Sequence, residues 1–191
     1  MIRLMSPHAE PAITVLVHHR ASLAARLPVL TDFVLRSSKR TALSRHPAWL
    51  SILQRGLGHE IYALEAIADG RTCGFLPLAF ISSVFFGRFL SSLPYLNSNG
   101  VIAEAPDVQT VLVRRAVELA DELNVRFLEL RHERPINLPE LTATLTSKVH
   151  MRLALPRTPE KMWKNFDSKV RNQIRKGEKF GFAMDWGGPE L

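Results

Sequence analysis

Short apolar runs bounded by turn residues fill most of the chain, and their spacing predicts alternating strands and helices. Residues 12–18 are rich in β-branched side chains and read as a first strand. Residues 22–35 place Leu23, Leu27, Leu30, Phe33 and Val34 at helical spacing, and Pro28 in their midst predicts two short helices or a kink. A helix then starts at Pro47, turns Trp49, Leu50 and Leu53 inward, and stops at Gly56 and Gly58. Next, I-Y-A-L-E-A-I-A and R-T-C-G-F-L-P-L-A-F-I flank Asp69-Gly70, which predicts a type I′ hairpin because both turn residues tolerate positive φ. Pro77 has no N–H to give a ladder, so its strand is expected at an edge or a bulge. Residues 88–92 and 100–104 predict a further strand pair. The loop between them, L-P-Y-L-N-S-N, has turn chemistry in Tyr95, Asn97 and Asn99 and suits a site.

Residues 107–123 predict a helix with Val108, Leu112, Ala116, Leu119 and Leu123 as its stripe, an exposed Arg114–Glu118 pair, and Asn124 as its stop. V-R-F-L-E-L-R then reads as a strand covered on both sides over Phe127 and Leu128. A loop rich in Pro and Thr leads to another strand over 149–155. The spacing of Met162, Trp163, Phe166, Val170 and Ile174 predicts one amphipathic helix over 158–179, capped by Thr158, with Gly177 as its C-terminal cap. G-F-A-M-D-W starts one more strand, and residues 187–191 read as a turn entering another helix.

Charge changes this picture at one place. Between Lys148 and Lys179 stand ten Lys or Arg against three Asp or Glu, a surplus equal to the formal net charge of +7 for all 191 residues. The amphipathic helix therefore has one packing face and one cationic face. That face suits an anionic partner: nucleic acid, a phosphorylated precursor or an anionic membrane surface. The single cysteine, Cys73, forms no internal disulfide and no multi-thiolate zinc site, and its apolar neighbours predict a buried, inert thiol. No signal peptide and no membrane-spanning run is legible, which reads as soluble and cytoplasmic, with the inner face of the membrane as an alternative location.

Known catalytic spacings are absent. There is no H-E-x-x-H, no G-x-S-x-G, no P-loop and no G-x-G-x-x-G, and His18-His19 point to opposite strand faces and do not share a metal. No metal is expected. Gly56-Leu57-Gly58 fails as an acetyl-coenzyme A loop, because Leu53 stands where Gln or Arg is needed and the glycines end a helix. His132, just past a strand end, is a candidate proton carrier set against an exposed loop histidine without a role. Arg45-His46 before a helix offers an anion site, and Asn97 and Arg131 lie in or beside loops that suit substrate.

Several strings taken in order resemble one family. H-P-A-W-L-S-I-L-Q-R-G-L-G-H-E, D-G-R-x-x-G-F-L-P-L, F-G-R-F-L-S-S-L-P, R-F-L-E-L-R and S-K-V-R-N-Q-I-R-K-G-E-K-F-G-F are similar to the FemAB-like peptidyltransferases, nearest to the branch associated with exosortase and exopolysaccharide systems. The resemblance implies an α/β (α+β) fold of GNAT-like type: a mixed, largely antiparallel sheet flanked by helices. It implies a first domain over 1–156, and a linking basic helix with the opening helix and strand of a second GNAT-like domain over 157–191. Relatives of this kind continue for another domain, so the chain reads as an N-terminal portion, inactive alone. The function implied is acyl or aminoacyl transfer to an amine in cell-envelope or exopolysaccharide biosynthesis. No cofactor is implied; an activated donor such as aminoacyl-tRNA or acyl-CoA serves as substrate, and the acceptor or carrier is anionic. Lys169, Arg171, Asn172, Arg175 and Lys176 match the family's basic motif and are assigned to substrate, while the catalytic residues stay open. The alternatives are a non-catalytic anion- or RNA-binding module and an inactive remnant, with self-association through the uncovered face of the 158–179 helix.

Overall fold

Strand β1 (Thr14–His19) pairs antiparallel with β2 (Glu60–Ala68), which pairs antiparallel with β3 (Arg71–Ser83). The β2–β3 turn has Asp69 at φ 50° and Gly70 at φ 75°, the two positive values of the predicted type I′ hairpin. On its far side β3 pairs antiparallel with both β4 (Gly87–Ser91) and the two-residue β5 (Ile102–Ala103). The predicted pairing of these two strands with one another is thus replaced by pairing of each with β3. The sheet closes with β6 (Phe127–Glu129), parallel to β4, giving the order β1-β2-β3-β4-β6 among the described residues. This computed structural model describes residues 12–37, 43–85, 87–149, 151–183, 185 and 187–188.

Pro77 corrects the edge-strand expectation. β3 lies inside the sheet, but β5 pairs at Gly74 and Phe75 and β4 only from Ala79 onward, so Pro77 falls in a gap on that side. A residue with no N–H is tolerated where the ladder is interrupted.

Helices cover both faces. Helix α1 (Ala21–Ser37) is continuous through Pro28, contrary to the predicted break. Leu23, Leu30, Phe33 and Val34 are all buried, and that packing outweighs the one hydrogen bond a proline removes. A 3-10 turn (Leu43–Arg45) leads to α2 (Ala48–Leu57), ended by Gly58 at φ 68°. Together α1 and α2 bury Ile61, Ala63, Phe75 and Ala79. Helix α3 (Pro106–Glu122) buries Leu64, Leu76, Leu78 and Leu90 on the other face. The period-2 alternation of β2 and β3 feeds both cores, so each strand carries apolar side chains on two faces. The class is mixed α/β, a mostly antiparallel sheet flanked by helices, as predicted.

Three local expectations change. Arg114 bonds Glu140 at 2.7 Å, not Glu118, which instead pairs with Arg115. β6 ends the sheet, and Phe127 is 45% exposed where cover on both faces was expected. Cys73 is buried as expected, and burial raises its thiol above the ordinary value.

The chain divides into two compact units, Met1–His150 and Met151–Leu191. The strand predicted over 149–155 is not formed in the described residues of that stretch, and Val149, Met151, Leu153 and Leu155 are exposed. In the second unit the single helix predicted over 158–179 is two: α4 (Pro159–Asn165) and α5 (Ser168–Lys179). Phe166 turns extended, and the Asp167 carboxylate accepts the Val170 N–H at 2.8 Å, starting a new helix with a better cap than continuation offers. Helix α5 runs through Gly177, and Gly181, at φ 66°, takes the left-handed position that the prediction gave to Gly177. Phe182 and Ala183 carry no strand. The predictions for Met184, Trp186 and 189–191 lie outside the described residues.

Candidate functional site

β4 and β6 run parallel, so their C-terminal ends open the same way, the position where sheets with parallel strands bind ligands. The loop from Ser92 to Val101 leaves β4 there and returns to β5. A ladder of polar bonds ties it to the segment after β6. The Ser92 N–H donates to the Glu129 carbonyl at 2.9 Å, the Arg131 N–H to Ser92 Oγ at 2.7 Å, and the Asn99 N–H to the Arg131 carbonyl at 2.9 Å. The Arg131 guanidinium spans the rest, donating to Leu96 O at 2.9 Å and pairing with Glu129 at 3.1 Å. Leu93 and Tyr95 sit at φ 58° and 70°, strained values for residues with a Cβ, and such strain clusters at sites of function. The Tyr95 ring stacks on His59, whose Nε2 lies 3.1 Å from the tyrosine oxygen.

Two oxygens at this end of the sheet lack partners. Ser91 and Asn99 are fully buried, yet Ser91 Oγ and Asn99 Oδ1 find no hydrogen-bond partner among the described residues. Asn99 is oriented by its amide nitrogen, which donates to the Ser44 carbonyl. Buried polar atoms are satisfied in the great majority of cases, so these two leave room for a donor beyond the described residues, an ordered water as well as a ligand. The required donor carries N–H or O–H.

His132 is not the exposed loop residue its position suggested. Its Nε2 accepts the Val101 N–H at 3.0 Å, and it donates from its other nitrogen to the Leu130 carbonyl. Burial, with a smaller contribution from the Arg45 charge, pushes its pKa down to about 4. The ring is therefore neutral at pH 7 and both nitrogens are committed, which removes it as a proton carrier and makes it a strut under the loop. Arg45 is close enough to act on His132 as a positive charge, while the Arg131 guanidinium is paired with Glu129.

The sequence candidates separate into two groups. Arg45, His46, Asn97 and Arg131 all lie in the first unit: Arg131 bonds the loop, Arg45 acts on His132 beneath it, and Asn97 is an exposed residue of the loop itself. His46 Nδ1 accepts the Ala48 N–H at 3.1 Å, so this helix start already has a cap and is less open to an anion than expected. The other five lie on α5 in the second unit. There Lys169, Asn172 and Lys176, with Ser168 and Gln173, line a shallow depression of about 410 Å³. Arg171 and Arg175 have other work: Arg171 donates to the Phe166 carbonyl at 2.9 Å, and the Arg175 guanidinium lies 5.4 Å from the Trp163 ring centre, holding α4 against α5.

A second depression, about 250 Å³, lies at the start of α3 and is lined by Glu104, Pro106 and Gln109. Asp107 stands in the first helical turn. Glu104 is paired with Arg71 at 2.8 Å, and no glycine loop precedes this helix start.

Sequence reasoning missed Ser91 and gave Asn99 only turn chemistry. It also missed a buried network on the α1 face: the Glu65 carboxylate, fully buried, takes Arg26 at 2.7 and 2.8 Å, His18 Nε2 at 2.8 Å and the Thr72 hydroxyl. Burial alone raises the Glu65 pKa. The bonds from Arg26, Thr72 and His18 and the Arg26 charge outweigh it, and the carboxyl stays below its ordinary value. The available signal was a lone carboxylate inside I-Y-A-L-E-A-I-A. His19, by contrast, stacks on Tyr62 and pairs with Glu60 at 3.0 Å. Among the described residues no group of three or more His, Cys, Asp and Glu is placed to hold a metal, and no helix is long and apolar enough to cross a membrane.

Compared with family profiles and with curated proteins, the sequence has no match. Solved structures similar to it include a ribosomal-protein-alanine N-acetyltransferase from Brucella melitensis biovar Abortus 2308, with 16% identity, a TM-score of 0.41, and coverage of 93% of this chain and 96% of that one. Another is a GNAT family acetyltransferase from Staphylococcus aureus subsp. aureus USA300_TCH1516, with 11% identity, a TM-score of 0.44, and coverage of 74% and 98%. A transcriptional regulator from Bacillus halodurans C-125 is similar at 15% identity and a TM-score of 0.38, covering 94% and 99%. With TM-scores below 0.5, these likenesses carry no functional step.

Proposed function

We propose that the chain contributes to acyl transfer onto an amine, as a FemAB-like, GNAT-type transferase does, with residues 1–156 forming the first GNAT-like domain and 157–191 linking to a second. The observation that carries this reading is the pair of buried, unpartnered oxygens, Asn99 Oδ1 and Ser91 Oγ, at the C-terminal ends of the parallel strands β4 and β6. Both accept hydrogen bonds, so together they suit the N–H groups of an amine. The ordered motif strings support the family, and the helix-flanked antiparallel sheet is consistent with it. In the reaction the amine nitrogen attacks the carbonyl carbon of an activated ester, the bond to the carrier oxygen breaks, and the amine proton leaves with that oxygen. The chain's part is to orient the amine and to place the Arg45 charge near the developing oxyanion, with Arg131, paired to Glu129, holding the loop. The donor is an activated ester such as aminoacyl-tRNA or acyl-CoA, and aminoacyl-tRNA is the one used in the test. The setting is cell-envelope or exopolysaccharide synthesis in the cytoplasm. The test supplies radiolabelled aminoacyl-tRNA and a diamine-bearing peptidoglycan precursor to the chain joined to the second GNAT-like domain that this reading requires. Labelled amide that falls at least about tenfold in Asn99→Leu supports the reading, and an equal yield from that variant ends it.

One observation favours a second reading, an anion-binding module: Lys169, Asn172 and Lys176 share one depression on α5. RNA binding with a steep salt dependence and no transfer product is its signature.

A further inference from the structure

β3 outruns its neighbour. β2 begins at Glu60, opposite Phe80, while β3 continues to Ser83, so the β3–β4 hairpin projects beyond the sheet. At its tip Val84 and Phe85 are 99% and 92% exposed. Single apolar side chains on a surface are ordinary, but a consecutive aliphatic and aromatic pair standing in water on a projecting turn forms a wedge.

The sides of the wedge are cationic. Exposed Arg88 follows the turn; its guanidinium lies 5.3 Å from the Phe80 ring centre and donates to the Leu123 carbonyl at 2.6 Å, which fixes it beside the hairpin. Arg126, also exposed, is next to it on the neighbouring chain segment and donates its N–H to the Arg88 carbonyl at 2.8 Å. Of the acids in the last turns of α3, Glu118 and Glu122 pair with Arg115, and Asp121 is the remaining one.

We propose that this hairpin docks the protein on an anionic lipid surface, with Val84 and Phe85 entering the acyl boundary and Arg88 and Arg126 at the depth of the headgroup phosphates. Aromatic insertion beside arginines matches the layering of a bilayer, with apolar side chains at the acyl boundary and cations at the headgroup phosphates. The wedge lies at the N-terminal ends of β4 and β6, and the orphan oxygens at the opposite ends. Docking by the hairpin would hold that loop site off the bilayer by roughly 15 Å, the length of a five-residue strand.

The test is co-sedimentation of the full chain with phosphatidylglycerol–phosphatidylcholine vesicles and with pure phosphatidylcholine vesicles. Binding to the anionic vesicles is expected, falling more than about tenfold in Val84→Ser/Phe85→Ser and several-fold in Arg126→Gln, while the thermal melt of each variant matches the parent. Failure of the parent to pellet with anionic vesicles overturns the proposal. So does a double variant that pellets like the parent, which would assign the lipid contact to the basic helix α5. A lipid-free dimer that dissociates in the double variant also overturns it, because the occupant is then a second copy of this chain.

Discussion

Gly100 and His132 are packed so closely that a Cβ on the glycine would lie 2.7 Å from both Cγ and Nε2 of the imidazole. The contact explains why a glycine stands there although its backbone conformation does not demand one. Gly100→Ala must push the ring away from the Val101 N–H, costing about 1–3 kcal/mol. Urea unfolding checks it, and an unchanged midpoint would mean that the loop yields freely.

The same ring makes stability depend on pH. With a folded pKa of about 4 against an ordinary 6.5, the unfolded chain binds a proton that the folded chain refuses between these values. His132 therefore leaves stability intact above about pH 6.5 and lowers it as the pH falls toward 4, by up to about 3 kcal/mol. His132→Gln keeps a side-chain acceptor and removes the titration, so its stability should lose that slope between pH 6.5 and 4.

Arg26 pairs with the fully buried Glu65 carboxylate, and removing one partner is worse than removing both. Arg26→Met leaves a buried carboxylate with only His18 and Thr72, at a cost of about 3–5 kcal/mol. Adding Glu65→Gln should recover part of it. A double variant no more stable than Arg26→Met would refute the coupling.

On α5 the arginines and lysines should behave differently. Lys169→Glu/Lys176→Glu should abolish anion binding with helix content nearly unchanged, because these side chains line the open depression. Arg171→Glu/Arg175→Glu should lose helix signal, because these two clamp α4 to α5. Asp167→Ala should also reduce helicity, by a cap worth about 1 kcal/mol. Circular dichroism beside a salt-titrated binding assay separates the three.

Much of the fold was legible where local chemistry decides it. Asp69-Gly70 can scarcely be anything but a tight hairpin, and the stripe of α3 has one packing face. Prediction failed where distant packing overrides a local signal. Pro28 breaks a helix in isolation, but not one anchored by Leu23, Leu30 and Phe33. Conversely, Asp167 ends a continuous apolar stripe because its carboxylate offers the next backbone N–H a nearer partner. Loop position and charge pointed to Arg45, Asn97 and Arg131, which lie in or beside the loops at this end of the sheet. Nothing pointed to Ser91 or to the orphaned Oδ1 of Asn99, since a missing partner is a property of three-dimensional neighbours and leaves no trace in residue order.

The gap on β3 that accommodates Pro77 also separates two independent anchors. β5 fixes the register at Gly74 and Phe75, β4 fixes it from Ala79 onward, and the loop from Ser92 to Val101 spans the interval without contributing to either. Only its exposed positions, Tyr95 and Asn97, can change without disturbing the sheet, because Ser92 and Asn99 are bonded to the end of β6 and the segment after it and Leu93 is buried in the core.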